Sequence, residues 1–378
     1  MSRAEFDLLK TILLLSFCFA LTGSTSSLTV SASPLVGFQI ADNKALATLP
    51  LAFHLIGTML AGIPASFLMK RVGRRYGFMI GTGIGSIGAV SAALSIIYFN
   101  FTFFCLSIFC LGILSGFAQL YRFAAADVAT KEFRTKAVSL VMFGGIVAGF
   151  IGPTVASKAK DLIPNAQFAG SYLFVILFHF LIFSILLRTR LPRPSAVEIT
   201  GETRPLKEIF SQPKFIVAAL SSMVGYGVMA MIMTATPLAM TEGSGHPFSD
   251  AAFVIQWHVV GMFAPSVFTG SLIHRFGSVP IIFTGILLNI LCIGINISAT
   301  TESFSFVIKL KLALPLYCIS RRFFKFFKPN PTLLSVLITP GFSTVIQILA
   351  SCLFISKKTT PPPTFKSIPC FMAFSTNN

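Results

Sequence analysis

The sequence predicts an all-α membrane protein made of two six-helix bundles, the second of them incomplete. Three observations predict it. The 378-residue chain is 54% hydrophobic and only 11% charged, with a mean hydropathy of +0.83, whereas soluble domains carry about 25% charged residues. Nine stretches are apolar enough to cross a bilayer core, which takes about 20 residues of helix. A residue pattern in the second stretch also recurs in the eighth, 204 positions later. The composition excludes a water-soluble enzyme. It also changes the meaning of the +17 formal charge, which in a soluble protein would point to nucleic acid.

The nine spans fall at about 11–34, 45–69, 77–98, 101–122, 137–157, 170–187, 215–239, 251–273 and 279–298. The start of the first resembles a signal-peptide core over Leu8 to Leu21. However, Glu5 and Asp7 lie among Arg3 and Lys10, and Ser/Thr-rich apolar sequence continues to Val36. A cleaved signal has a positive start and a shorter core, so this segment reads as a spanning helix. Most connections are short. The exception is 188–214, polar and interrupted by proline, which reads as a linker between halves. Residues 1–187 then form the first bundle, 188–214 the linker and 215–302 the start of the second bundle.

Past residue 302 the pattern weakens. The 204-residue shift places a counterpart of the fourth span near 305–326, where Lys309, Lys311 and Pro315 intrude. A counterpart of the fifth falls near 341–361, and a counterpart of the sixth would run past residue 390. Residues 303–378 therefore read as an atypical basic tail with one or two weak membrane segments; they hold nine Lys and Arg and no acid.

Lysine and arginine set the orientation. Sixteen fall on the side that holds the N-terminus, 70–75, 131–136, the linker and 274–278, against Lys44, Lys158 and Lys160 on the other. The expectation is an integral multi-pass protein of the cell membrane with a cytoplasmic N-terminus. Arg122 alone lies within a span. The seven cysteines mostly sit in apolar runs and form no C-x-x-C pair, so they read as packing residues rather than zinc ligands or disulfides.

The recurring pattern is H-x-x-G, thirteen residues, then R-x-G. It runs through His54, Gly57, Arg71 and Gly73, and again through His258, Gly261, Arg275 and Gly277. Two parallel copies around a linker is a transporter layout. At these residues the chain resembles the major facilitator superfamily, whose loop after the second helix carries G-x-x-x-D-R-x-G-R-R/K. Here Arg71, Gly73, Arg74 and Arg75 match, Ser66 replaces the first Gly, and Lys70 replaces the Asp. The second copy keeps Gly270, Arg275 and Gly277, with His274 at the Asp position. Asp127 followed by 132–137 resembles the acidic residue and basic loop after the family's fourth helix. Gly144, Gly145, Gly149 and Gly152-Pro153 resemble its antiporter-type glycine motif. Gly112 stands where proton-coupled members carry an arginine. The motifs cover about 8–298, and residues 233–240 and 253–258 resemble a drug- and metabolite-permease branch. The resemblance implies alternating access for a small organic solute, with protons as a coupling ion and a vitamin such as riboflavin as an alternative substrate.

Candidate gating residues are thus Lys70, Arg71, Gly73, Arg74, Arg75, Asp127, His274, Arg275 and Gly277, with Arg71 or Arg74 expected to pair with Asp127. The same cations also suit lipid head groups. Candidates for a substrate or proton pathway are His54, Gln119, Arg122, Tyr226, Thr234, Gln256 and His258. Each histidine lies about 12 Å into its span at 1.5 Å per residue, and intramembrane ionisable groups are functional candidates. A neutral imidazole bonded to a neighbouring helix is the competing reading. Arg122 should pair with Asp127 or meet an anionic substrate, because an unpaired buried arginine is costly. The eight hydroxyls between Thr22 and Ser33 are too dense for one helix face, so part of them is expected to line a cavity.

Gly83, Gly85 and Gly88 spell a dinucleotide fingerprint, but inside an apolar helix rather than after a strand. They read as small residues for helix packing. The spans show no triad order, metal-spaced histidines or paired carboxylates, so no enzyme, cofactor or metal is expected, nor nucleic acid. The function this predicts is secondary transport. Its rival is a non-transporting degenerate or truncated membrane protein, or a sensor.

Overall fold

The structure is a computed structural model. It describes residues 3–130, 133–189, 191, 211–212, 216, 229–230, 233–243, 245–276 and 284, without the side chains of 3–4, 135 and 265–274. The described residues are helical throughout, joined by turns and short loops. Of the sequence-predicted spans, the ninth and most of the seventh lie outside them, as do the linker and the tail.

The first span is longer than expected. α1 runs Arg3–Ile40, 38 residues or about 57 Å, so it projects past a hydrocarbon core of about 30 Å. Lys44, on the short 3₁₀ turn Lys44–Leu46, donates to the Ala41 carbonyl at 2.9 Å. A cation suits this end of a helix. α2 (Leu49–Val72) and α3 (Arg74–Ile97) are joined by one residue, Gly73, at φ 88°. Only glycine takes that conformation without strain.

The fourth span breaks in two. α4 (Phe101–Ala118) ends at Gln119 and Leu120, and α5 (Tyr121–Val128) follows. The sequence predicts one helix over 101–122; the break places Arg122 and Asp127 together on α5. α6 (Arg134–Ala159) and α7 (Ala169–Arg188) complete the first half. α8 (Phe248–Phe276) belongs to the second half, preceded by a π-helical turn at Ala239–Gly243. Six helices or helix pairs of the first half are long and apolar enough to cross a membrane.

Small residues set the packing. α3 turns Gly81, Gly85 and Gly88 onto Phe117, Leu114 and Cys110 of α4, while Gly83 faces open space. Two of the three fingerprint-like glycines, Gly85 and Gly88, therefore belong to a helix seam. α6 carries two stripes one residue apart. Gly144, Ala148 and Gly152 receive α1, with Ser27 donating to the Ala148 carbonyl at 3.0 Å. Gly145 and Gly149 receive Phe263, Val259 and Val260 of α8. Large apolar side chains such as Met59, Ile63 and Phe67 stay exposed on α2, as a hydrocarbon-facing or partner-facing surface allows.

Candidate functional site

At the basic end of the bundle, Arg74 opens α3 directly after Gly73 and reaches the end of α5. Its Nε donates to Asp127 Oδ2 at 2.6 Å, and its Nη2 pairs with the same oxygen. The guanidinium is 18% exposed and the carboxylate 50%, so the pair sits where water can break it. Arg75 Nη2 donates to the Leu187 carbonyl at 2.6 Å, in the last turn of α7. A charged donor there serves the helix end. Lys70 is half-buried and Arg71 exposed; of the two arginines expected to meet Asp127, Arg74 does so. In the second copy Arg275 is exposed, with its guanidinium 5.4 Å from the Phe276 ring. The His274 side chain and Gly277 lie outside the described residues.

His54 is buried in the seam between α2 and α4. The seam is tight because Gly57 lies 3.1 Å from the Ile113 amide by its would-be Cβ. Any Cβ at Gly112 would meet the His54 backbone, with its Cα at 2.9 Å. Glycine is required at this position because α2 occupies the space that any side chain would need. His54 Nε2 lies 3.4 Å from Ser115 Oγ, and its buried Nδ1 has no partner. His258, on α8, is 8% exposed and its Nε2 also has no partner.

Counted from the helix ends, the two histidines stand where the repeat puts them: His54 is 18 residues before Val72, the last of α2, and His258 is 18 before Phe276, the last of α8. Only the helix starts differ, because the 3₁₀ turn at Lys44–Leu46 takes up residues that the sequence assigns to the second span. The two do not share a seam: His54 packs on α4, and α8 packs on α6 and α1.

Asp127, one partner expected for Arg122, is held by Arg74. The Arg122 guanidinium lies 5.4 Å from the Phe123 ring, within a largely buried residue. Gln119 is exposed at the α4–α5 break. The hydroxyls of α1 correct another expectation. Seven of the eight are buried, and they return to the helix or cross to neighbours rather than line open space. Thr22, Ser24, Thr29 and Ser31 donate to carbonyls four residues back at 2.8–3.0 Å, and Ser33 meets Tyr172 at 3.1 Å.

Sequence reasoning missed His179. It is 1% exposed on α7, between Thr25 of α1 (3.4 Å) and Ser86 of α3 (3.3 Å). It sits in an apolar run without a repeat counterpart, and its partners come from other helices. A histidine inside a span is itself the signal that could have found it.

On the second-half side, Met229 and Met233 bury themselves against Ile255 and Val259 of α8, with Val30 of α1, Met262 and Phe263 around them. Ile255, His258, Val259 and Met262 share one face of α8 by spacing. Thr234 is half-buried and donates to the Ala230 carbonyl at 2.6 Å; Gln256 is half-buried. Tyr226 lies outside the described residues. Two open clefts, of about 370 and 510 Å³, lie at the opposite end from Arg74, around Gln39, Phe99 and Asp161 and around Asp42, Tyr98 and Asn100. They contain none of the predicted site residues.

A family model described as Major Facilitator Superfamily matches residues 13–353. The chain belongs to the major facilitator superfamily. The match continues past the 8–298 over which the sequence motifs run, into the basic tail. The riboflavin transporter RfnT of Brucella anthropi is 40% identical over 283 residues, covering 74% of this chain and 70% of that protein. The uncharacterized MFS-type transporter YdeG of Bacillus subtilis is 25% identical, covering 71% of this chain and 65% of its own length. The chain thus spans about two thirds of the length of such relatives.

Among solved structures, the xylose transporter XylE from E. coli, in a partially occluded inward-open conformation, superposes with a TM-score of 0.64 at 15% identity. It covers 95% of this chain and 93% of its own. A D-xylose–proton symporter superposes with a TM-score of 0.68 at 17% identity, covering 93% of this chain and 88% of its own. At these identities the likeness is one of fold. The protein is a multi-pass membrane transporter of the major facilitator type.

Proposed function

We propose that this chain carries riboflavin, or a vitamin of similar shape, across the cell membrane by alternating access coupled to protons, with its N-terminus in the cytoplasm. The observation that carries the substrate is the 40% identity with a riboflavin transporter over 74% of the chain. The cluster of Met229, Met233, Ile255 and Val259 against Val30 agrees with it. Polarisable thioethers suit the face of a flat aromatic ring. Thr234, Gln256 and His258 next to them offer hydrogen bonds to a polar ring edge.

Proton coupling draws on the two repeat-related histidines, each with one buried ring nitrogen free of a partner and so able to exchange a proton. Arg74 and Asp127 act as a latch at the cytoplasmic surface, where a water-accessible ion pair between α3 and α5 breaks and re-forms during the transport cycle. Lys70, Arg71 and Arg75 adjoin Arg74 in sequence, and His274 and Arg275 stand at the matching positions of the second copy.

Uptake of radiolabelled riboflavin into proteoliposomes, with and without a pH gradient, tests both parts. Transport above empty liposomes, faster with an inward proton gradient, is expected. Folded protein that moves no riboflavin would overturn the substrate, and an unchanged rate on imposing the gradient would overturn the coupling. Replacing His54 and His258 together by Gln is expected to flatten the pH profile of uptake.

A further inference from the structure

We propose that His179 is a positioning residue: its neutral ring, protonated on Nδ1, ties α1 to α3 through α7 and so fixes the face of α1 that meets the second half. The inference rests on the transport reading above for one of its readouts and stands apart from it for the others.

A neutral imidazole has one donor nitrogen and one acceptor, and a hydroxyl has one proton to give. Ser86 Oγ lies 2.9 Å from the Thr82 carbonyl and Thr25 Oγ1 3.3 Å from the Leu21 carbonyl. The shorter contact takes the Ser86 proton. Ser86 then accepts from Nδ1–H of His179, and Thr25 turns its proton to Nε2. Every polar atom of the ring is thereby used. The charged residues of the helices packed on α7 (Glu5, Asp7 and Lys10 of α1, Arg74 and Arg75 of α3, Arg134, Lys136 and Lys158 of α6) lie toward the helix ends, as does Arg188 of α7 itself. Among the described residues, no charge lies at the level of the ring to favour an imidazolium.

The next residue of α1 is held from the other flank. Ser26 Oγ lies 2.7 Å from Ser115 Oγ, which lies 3.1 Å from the Leu111 carbonyl and 3.4 Å from His54 Nε2. By the same rule Ser115 gives its proton to Leu111 and accepts from Ser26 and from Nε2–H of His54. That leaves His54 Nδ1 bare, which is the atom without a partner. Thr25 and Ser26 thus tie α1 to α7 and α3 on one flank and to α4 and α2 on the other. Four residues beyond Ser26, and so on the same face, Val30 packs against Met229, Met233, Ile255 and Val259. Freeing the Thr25 flank lets α1 turn and carries Val30 away from that cluster.

The test uses the full-length chain in lipid nanodiscs. Nitrogen-15 histidine NMR should show His179 as the Nδ1–H tautomer, with its signal shifted by Thr25→Val. An Nε2–H tautomer would overturn the assignment. In thermal unfolding, His179→Ala and Thr25→Val should lower the midpoint non-additively, because both remove one contact. Additive losses would overturn the tie. In riboflavin uptake each variant should raise the half-saturating concentration about fivefold, the scale of one buried hydrogen bond, with the maximal rate per folded protein within about twofold. His179→Gln, whose amide keeps a donor and an acceptor, should restore affinity. An unchanged half-saturation in both variants would sink the positioning role. If riboflavin is not carried at all, the transport reading fails, while the tautomer and the unfolding cycle still decide this one. Should His179→Ala not fold, Thr25→Val and the wild-type spectrum carry the test.

Discussion

Gly112 shows how one missing side chain fixes two helices. Its place against the His54 backbone leaves no room for a Cβ, so Gly112→Arg should drive α2 and α4 apart. The expected outcome is loss of a monodisperse folded species in size-exclusion chromatography, where Gly112→Ala should instead lower the unfolding midpoint. A sequence motif marks such a residue only by what it lacks. Arg74 and Asp127 were legible for the opposite reason: both carry charge beside a recognisable loop, with opposite signs at the ends of neighbouring spans. His179 was not legible. Its hydroxyl partners, Thr25 and Ser86, stand 154 and 93 positions away, and neither is conspicuous on its own helix. The α1 hydroxyls misled for a related reason. A hydroxyl within a helix can always return to the carbonyl four residues back, so density of Ser and Thr does not reveal a cavity.

At the scale of elements, the first six spans were readable because apolar length alone identifies them. Their ends were less so. The α4–α5 break is made by two ordinary residues, Gln119 and Leu120, with no proline to announce it. That break aims α5 so that Asp127 meets Arg74 across the end of α3. Asp127→Asn should therefore weaken the latch and reduce riboflavin uptake severalfold at unchanged protein level. The exchanged pair Arg74→Asp with Asp127→Arg should recover part of the loss, and a double variant no better than the single would argue against pairing as the cause. No change in uptake from Asp127→Asn would remove the latch from the transport cycle.

For the whole molecule, the distribution of charge matters more than its sum. The structure gathers Arg74, Arg75, Arg134, Lys136 and Arg188 at one end of the first half and Lys44, Lys158 and Lys160 at the other. Single cysteines at Asp161 and at Arg134, in a chain whose native cysteines are replaced, should react oppositely with a membrane-impermeant thiol reagent. Position 161 should be labelled on intact cells and position 134 only after permeabilisation; the reverse would invert the proposed orientation.

The two glycine stripes of α6 have a consequence of their own. Successive residues of a helix are rotated by 100°, so stripes one residue apart face different neighbours: one serves assembly of the first half, the other its meeting with the second. A single residue inserted between Gly149 and Gly152 would swing Gly152 and the rest of α6 away from α1 while leaving Gly144, Gly145, Ala148 and Gly149 where they are. The joint to the second half would stay whole, and the seam with α1 would come open at one end.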